Sequence, residues 1–395
     1  MTPIVSIALP VSSRPMNRHD MPANSAQSVP YTFTVRGYGE RTPAHIRLDG
    51  SELGAAMAIC DEEIALIEAA IRADRIPVPA ALDGDRPQFE VTVERVASDD
   101  DLRLSQYPLA HLMARGLGSR LRRRLGALVG RDRAEAPATQ EQSQGKGPWP
   151  KISVVTVSFN QAQYLEASIR SVLDQDYPNL EYIVVDGGST DGSIEIIERY
   201  RDRCGAVIVE PDRGQSDALN KGFACATGET MNWLCSDDLL EPGSLFEIGR
   251  TYRETGADII AGGCMRIGET RSEEHHLHHT RLPMEQTVRL APLDMLHFMQ
   301  SWQASNYFFQ PEVFFSRRVW EASGAYLREH LFYAMDYDLW LRMALAGATA
   351  HHIPATIGCS RIHAAQKTQA DRKYLHQMRT LMEEYKAMLA ALKAV

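Results

Sequence analysis

Short apolar segments that alternate with amphipathic ones constrain the fold of this chain more than any other feature. Residues 152–159, 180–185 and 206–210 are continuous apolar runs rich in β-branched side chains. Between them, residues 163–175 and 193–200 carry apolar side chains at three- and four-residue spacing. Continuous apolar strands alternating with such helices predict an α/β fold, in which a parallel sheet is covered on both faces.

Acidic residues stand where two of these predicted strands end. Asp186 follows the second strand, and Asp237 with Asp238 follows a fourth apolar run at residues 231–234. In sheets of this kind, ligands bind at the carboxyl ends of the strands. Adjacent carboxylates are oxygen ligands suited to Mg²⁺ or Mn²⁺, ions that are also bound by substrate phosphates. The pattern therefore predicts a metal-assisted site for a phosphorylated ligand at this edge.

The motifs in this region resemble those of the family 2 glycosyltransferases of the GT-A fold, which use nucleotide-sugar donors. They are VVDGGSTDGS, EPDRGQSDALNKGFACATGE, WLCSDD, QPEVFFSRRVWEASGAY and LFYAMDYDLWLRMA, in that order. The resemblance covers about residues 151–365 and implies a GT-A domain with a Rossmann-like, mainly parallel sheet flanked by helices. It also implies inverting transfer of a hexosyl or N-acetylhexosaminyl group from a nucleotide diphosphate sugar, with a UDP-sugar expected. Mn²⁺ or Mg²⁺ is the expected cofactor, and the expected acceptor is a hydroxyl of a glycan or lipid-linked oligosaccharide, as in cell-surface polysaccharide biosynthesis.

The resemblance also assigns roles to individual residues. Asp336 matches the catalytic base, with Asp338 as the alternative for that role. Asp238 is the main candidate metal ligand and Asp237 the second, because Cys235 stands where a full DxD motif has its first acid. Gly187 occupies the position at which many members have a second acid beside the base-recognising aspartate. The residues expected to contact the donor are Asp186, Asp217, Asn220, Lys221, Asp237 and His363.

Other polar and aromatic residues of this region have plainer interpretations. Ser189 and Asp191 are expected to stabilise a turn and a helix start rather than to bind ligand. Trp302, Trp320 and Trp340 are expected in the core rather than as sugar platforms. The histidine-rich segment at residues 273–279 lacks partner spacing for a metal site and is interpreted as an exposed flap over the active site.

Outside this region the chain changes character several times. Residues 30–101 predict a separate small α+β module, with strands at 31–35 and 89–94 and a helix at 53–73. Residues 102–131 form a basic amphipathic pattern, which suits either a peripheral membrane contact or packing against protein. The remaining segments are a loose tail at 1–29, a linker at 132–150 and a C-terminal helix within 366–395.

Composition limits the remaining function classes. The net charge of −9, from 42 basic and 51 acidic residues, disfavours a nucleic-acid partner. Six cysteines without a CxxC pair argue against a zinc ribbon or a disulfide scaffold, and no apolar stretch reaches 18 residues. We therefore expect a cytoplasmic protein, with any peripheral membrane contact on the inner face. The oligomeric state is not indicated.

Two other functions remain open at this stage. A nucleotidyltransferase would need a glycine-rich or basic phosphate loop after the first strand, which residues 158–161 do not supply. A non-catalytic carbohydrate-binding or membrane-associated scaffold of a glycan assembly complex is the alternative from another class. The four motif aspartates Asp186, Asp237, Asp238 and Asp336 argue for an enzyme.

Overall fold

The structure is a computed structural model of the 395-residue chain. It describes residues 31–37, 44–48, 50–76, 89–90, 148–269, 274–299, 307–364, 366–367 and 372–393. The strands are β1 Tyr31–Gly37, β2 Ala44–Leu48, β3 Phe89–Glu90, β4 Ile152–Ser158, β5 Leu180–Asp186, β6 Ala206–Val209, β7 Thr230–Cys235, β8 Leu239–Leu240, β9 Ile259–Ile267, β10 Glu274–His279, β11 Thr287–Arg289, β12 Val313–Ser316 and β13 Thr349–Arg361. The helices are α1 Gly50–Asp74, α2 Ala162–Leu173, α3 Ser193–Tyr200, α4 Gln215–Cys225, α5 Ser244–Thr255, α6 Pro292–Leu296, α7 Arg317–Ala322, α8 Met335–Leu345 and α9 Tyr374–Lys393.

The predicted alternation of strands and helices is confirmed. β4, α2, β5, α3 and β6 follow one another as the apolar pattern indicates. β4 lies between β5 and β7, β6 pairs with β5, and these ladders are all parallel. The carboxyl ends of β4, β5 and β7 therefore meet at one edge, where Ser158 is paired with Asp186.

The second half of the large sheet is mixed rather than parallel. β12 pairs antiparallel with both β7 and β9, whereas β13 runs parallel to β9. β13 also pairs with the short β8, which directly follows the acidic pair at the end of β7. The last long strand is thereby held beside the Asp237–Asp238 motif.

Side chains of the parallel strands alternate between two buried clusters. Val155 and Val157 of β4 belong to one cluster, and Ile152 and Val154 belong to the other. Burial on both faces explains why these strands are continuously apolar in sequence. Trp340 is fully buried and stacks on Trp233, with ring centroids 5.4 Å apart, and Trp320 is also buried, as expected. Trp302 lies outside the described residues.

The N-terminal segment contributes a three-stranded antiparallel sheet and α1. β1 pairs with β2 and β3, and the buried side chains of α1 share a hydrophobic cluster with those of α9. Just after α1 ends, the carbonyl oxygen of Ile76 lies 2.9 Å from Nε2 of His376 in α9. Residues 31–94 thus belong to the same compact unit as residues 149–395. The predicted domain limits at 30–101 and 366–395 stay predictions.

The histidine-rich segment differs from the expected exposed flap. Residues 274–279 form β10, which pairs antiparallel with β9. His278 is buried, and its Nδ1 lies 3.0 Å from Glu312 Oε2. The polar composition of this segment did not indicate a strand. The structure shows one, and its buried histidine is paired with a carboxylate.

Several predicted segments lie outside the described residues. They are the tail at 1–29, the basic helix at 102–131 and most of the linker at 132–150. Peripheral membrane contact through residues 102–131 therefore stays a prediction. Among the helices that the structure describes, none is long and apolar enough to span a bilayer.

Candidate active site

A cavity of about 440 Å³ opens at the carboxyl ends of the parallel strands. Its wall includes Ser158 from β4, Asp237 and Asp238 after β7, Asp336 from α8 and Lys367 after β13. The volume is within the ~300–1,000 Å³ of small-molecule sites. With Asp212, which also lines the cavity, four carboxylates from three separate parts of the sequence therefore face one space.

Turn-forming side chains fix the loops on one side of this cavity. Asp191 accepts hydrogen bonds from the backbone N–H groups of Ala162 and Ser193, at 2.9 and 3.1 Å. The hydroxyl of Ser189 accepts from Asn160 N at 2.8 Å. These contacts join the loop after β4 to the loop after β5, and they confirm the structural roles expected for Ser189 and Asp191.

Asp186 stabilises this turn and does not line the cavity. It is fully buried, and its carboxylate accepts hydrogen bonds from Gly188 N, Ser189 N and Ser189 Oγ at 2.7–3.0 Å. The described residues that line the cavity do not include it. Its carboxylate is therefore engaged by the turn, and the sequence-predicted contact with the base stays a prediction that this geometry does not favour.

Three other sequence-predicted donor contacts are not among the described residues that line the cavity. Asp217 is bound by Arg213 N at 3.0 Å and paired with Lys221 at 3.4 Å, and Lys221 Nζ donates to the carbonyl of Pro211. Asn220 exchanges two hydrogen bonds with the backbone of Leu327, at 2.7 and 2.8 Å. These residues hold α4 and its preceding loop in place, and their roles as direct donor contacts stay predictions.

The acidic pair after β7 is fastened to the end of β13. Asp238 Oδ1 accepts a hydrogen bond from Arg361 N at 2.9 Å, and Asp237 Oδ2 lies 2.9 Å from His363 Nε2. Burial, together with the neighbouring negative charge of Asp237, raises the pKa of the Asp238 carboxyl well above its usual range. A cation between the two carboxylates would relieve both causes, as expected at a metal site.

The donor atoms at this point fit a divalent ion. The ligand atoms of Cys235, Asp237 and Asp238 all lie within 4.8 Å of one another. The two carboxylates suit Mg²⁺ or Mn²⁺, whereas the thiol of Cys235 is a soft ligand whose pKa burial raises well above the ordinary value. Asp237 and Asp238 therefore have the chemistry of ligands for such an ion, and their role in metal binding stays a prediction.

Asp336 and Asp338 start the same helix, but only one faces the cavity. Asp336 lines it, and burial raises the pKa of the Asp336 carboxyl. Asp338 is fully buried, where Arg342 Nε and the Tyr385 hydroxyl donate to it at 2.8 and 2.9 Å. Although burial opposes it, the charges of Arg328 and Arg342 lower the pKa of Asp338. Asp338 is thus a structural anion, and the geometry favours Asp336 as the base.

Sequence reasoning missed a lysine of the cavity wall. Lys367 Nζ donates to Gln215 Oε1 at 2.8 Å and lies 4.0 Å from the centroid of the Phe332 ring. Burial lowers its pKa to about 8, and the nearby charge of Asp336 opposes that shift. The sequence did contain a signal for it. Lys367 lies four residues after His363 in the same loop, and this loop begins where β13 passes the acidic pair.

Comparison with known proteins places this domain in a family. Residues 153–317 match the sequence model described as "Glycosyl transferase family 2". This part of the chain belongs to glycosyl transferase family 2. The predicted GT-A fold class with flanking helices is confirmed with it, although the sheet is mixed rather than mainly parallel.

Individual relatives cover parts of the chain. An uncharacterized glycosyltransferase of Nostoc sp. is 34% identical over 133 residues, which are 31% of this chain and 41% of the relative. The putative teichuronic acid biosynthesis glycosyltransferase TuaG of Bacillus subtilis is 40% identical over 92 residues, 22% of this chain and 36% of the relative. This glycosyltransferase domain thus spans less than half of either relative.

A solved structure is similar at lower identity. S. aureus TarS in complex with UDP-GlcNAc is 17% identical, with a TM-score of 0.47, and the match covers 62% of this chain and 71% of TarS.

Proposed function

We propose that this protein is a metal-dependent, inverting glycosyltransferase. It moves a sugar from a nucleotide diphosphate sugar, with UDP-sugars as the first candidates, to a hydroxyl of a glycan or lipid-linked oligosaccharide. The observation that carries the proposal is that the Asp237–Asp238 pair and Asp336 line one cavity. A site of this kind can hold a diphosphate at one end and a proton acceptor at the other.

The acidic pair and Lys367 serve the donor's diphosphate. Asp237 and Asp238 would hold Mg²⁺ or Mn²⁺, which when bound supplies positive charge to a leaving diphosphate. Lys367 adds a second positive charge from the loop after β13, since at pH 7 a lysine with a pKa of about 8 is mostly protonated. A diphosphate leaving group needs such charge neutralisation in the transition state.

Asp336 serves the acceptor. Its carboxylate takes the proton of the acceptor hydroxyl while that oxygen attacks the anomeric carbon of the donor sugar. The bond between the anomeric carbon and the diphosphate oxygen breaks, and its electron pair leaves with the nucleoside diphosphate. Because one displacement occurs on the face opposite the leaving group, the anomeric configuration inverts.

The acceptor class that we propose is a polysaccharide under assembly. The printed name of the B. subtilis relative places it in teichuronic acid biosynthesis. We carry over only the class, a hydroxyl of a cell-surface glycan or of its lipid-linked precursor.

The test is release of nucleoside diphosphate from a panel of UDP-, GDP- and dTDP-sugars, with Mn²⁺ and a cell-envelope glycan fraction as the acceptor. We expect release with one nucleotide class, dependent on acceptor and on metal. A folded protein that binds glycan but releases nothing from any donor would contradict the proposal and favour the scaffold alternative.

A further inference from the structure

The loop that precedes the helix of Asp336 presents two aromatic side chains to the cavity. Phe332 and Tyr333 both line it, and α8 begins two residues after Tyr333. The ring of Phe332 is 45% exposed although it is large and apolar, and Tyr333 is half-buried. Aromatic rings that are exposed in the wall of a cavity are contact surfaces for a ligand.

The two rings form a corner. Their centroids lie 4.8 Å apart and their planes are inclined by 83°. Lys367 Nζ lies over one face of the Phe332 ring, 4.0 Å from its centroid, so the opposite face and the edge supply the exposed surface. The described residues offer no hydrogen-bond partner to the Tyr333 hydroxyl. The corner therefore combines an apolar surface with a polar group that can donate and accept.

Gln377 of α9 holds this loop by its backbone. The side chain of Gln377 is almost fully buried. Its Oε1 accepts hydrogen bonds from Tyr333 N and Ala334 N at 2.6 and 3.0 Å, and its Nε2 donates to the carbonyl of His330 at 3.1 Å. One amide group thus fixes both ends of residues 330–334, the segment that has Phe332 at its centre.

Helix α9 is in turn held by the N-terminal segment. The buried side chains of α1 and α9 share one hydrophobic cluster, and Lys386 of α9 pairs with Asp61 of α1. Neither helix, nor the loop at residues 330–334, lies within the residues matched by the family model, 153–317. Parts of the chain outside the family match therefore position the two aromatic rings.

The place of this corner beside Asp336 identifies its ligand. A general base lies within hydrogen-bond reach of the proton that it removes, so the sugar with the attacking hydroxyl binds at the start of α8, next to this loop. The C–H groups on one face of a pyranose ring pack against an aromatic ring, and its hydroxyls form hydrogen bonds with a phenol.

We propose that Phe332 and Tyr333 form the subsite for the terminal pyranose ring of the acceptor, and that Gln377 is the positioning residue that holds them there. The inference rests on the proposed function and adds to it the residues that bind the acceptor. It also gives α9, and through it α1, a part in acceptor binding.

The experiment determines the KM of the acceptor and that of the donor separately. Release of nucleoside diphosphate by the full chain is measured with Mn²⁺, the sugar nucleotide that supports release and the cell-envelope glycan fraction, each substrate being varied in turn. We expect Phe332→Leu, which keeps an apolar side chain but no ring, to raise the glycan KM about tenfold and to leave the donor KM within about threefold. Phe332→Tyr keeps the ring and should keep the glycan KM. Tyr333→Phe, which loses only a hydroxyl, should raise it about threefold.

Variants of Gln377 test its positioning role. Gln377→Met removes all three hydrogen bonds at similar volume, and we expect the glycan KM to rise about tenfold and kcat to fall while the donor KM is retained. Gln377→Glu keeps an acceptor for Tyr333 N and Ala334 N, and should bring the glycan KM back toward the wild-type value.

Gln175→Met is the matched control for Gln377→Met. Gln175 also fixes backbone through its amide, since it accepts from Leu245 N at 3.0 Å and donates to the carbonyl of Ser171 at 2.8 Å. It is not among the described residues that line the cavity. Its replacement should lower the midpoint of thermal unfolding without changing either KM.

The outcomes separate this inference from the proposed function. A glycan KM that is unchanged in Phe332→Leu and Tyr333→Phe would overturn the subsite and leave the glycosyltransferase intact. A rise in the donor KM instead of the glycan KM would overturn it too, because the rings would then bind the donor. If Gln377→Met lowered only the thermal midpoint, as expected for Gln175→Met, its positioning role would be refuted. A folded wild type that releases no nucleoside diphosphate from any donor would overturn the proposed function and the inference with it.

Discussion

His363 Nε2 lies 2.9 Å from Asp237 Oδ2, which links the loop after β13 to the acidic pair after β7. Arg361 strengthens this link, since its N–H donates to Asp238 and its Nε donates to the carbonyl of Asp237. A partner that orients a ligating carboxylate also sets the affinity of the metal. We therefore propose that His363 acts on the donor through Asp237, as a positioning residue.

Replacement of His363 should weaken metal-dependent donor binding. We expect His363→Gln to lower the affinity for UDP in the presence of Mn²⁺ by about tenfold or more, since loss of such partners typically changes metal affinity by ~10–100-fold. Calorimetric titration of UDP with and without Mn²⁺ measures this. His351→Gln, at the far end of β13, is the matched control and should leave both titrations unchanged. Equal loss with and without metal would show that His363 does not act through the ion.

Replacement of Lys367 should weaken the binding of nucleotides that carry a diphosphate and leave the binding of the nucleoside unchanged. Lys367→Met removes the cation but keeps a long apolar stem, so we expect UDP affinity to fall by about tenfold or more while uridine affinity is unchanged. Competition binding with UDP and uridine measures the two effects. Lys221→Met is the control, because that lysine contacts Pro211 and Glu210 and is not among the described residues that line the cavity. Equal effects of the two variants would contradict the assignment.

The rate of transfer should depend on pH through Asp336 and Lys367. Burial raises the pKa of Asp336, so kcat/KM should rise with pH through a value above that of an ordinary aspartate. The profile should fall again near pH 8, where Lys367, with its pKa of about 8, loses its charge. A series of kcat/KM values from pH 4 to 10 tests this. The basic limb should move upward in Lys367→Arg, and an unmoved limb would assign it to another group.

Glu181 should stabilise the start of the parallel sheet. Its carboxylate accepts from Lys151 Nζ, Ser153 Oγ and Thr227 at 2.6–2.7 Å. Burial opposes ionisation, but these donors lower the pKa of Glu181 to about 2. We expect Glu181→Gln to reduce the free energy of unfolding at pH 7 by about 2–3 kcal/mol.

The sign of its pH dependence follows from that lowered pKa. The stabilisation is fully present above the pKa of an unfolded glutamate, near 4.5, and is lost as the pH falls toward 2. Urea unfolding of the two proteins should therefore differ at pH 7 and converge at low pH. Glu198→Gln, which breaks an exposed pair with Arg201, should change stability much less than Glu181→Gln does. If the two proteins still differed in stability at pH 2, the loss would come from packing and not from the charge of Glu181.

The sequence predicted the parallel half of the sheet because its inner strands β4, β5 and β7 are largely buried and each is one apolar run in the sequence. β10 was missed because four of its six side chains are polar histidines, and only pairing with β9 and the contact with Glu312 reveal why they suit a strand. Motif spacing likewise predicted that Asp237, Asp238 and Asp336 would meet. It did not reveal which polar residues face the cavity, because Asp186 and Asp217 accept hydrogen bonds within their own loops and Asn220 is hydrogen-bonded to the backbone of Leu327.

The central claim is that Asp336 removes the acceptor's proton in a cavity that holds the donor separately. The most direct measurement is acceptor-dependent release of nucleoside diphosphate by Asp336→Asn, beside its donor affinity from calorimetry. Asparagine keeps the size of the side chain and cannot take a proton. The account predicts that release falls by at least about a hundredfold while donor affinity stays within about threefold of the wild type. Release at the wild-type rate, from a variant that binds the donor normally, would contradict it.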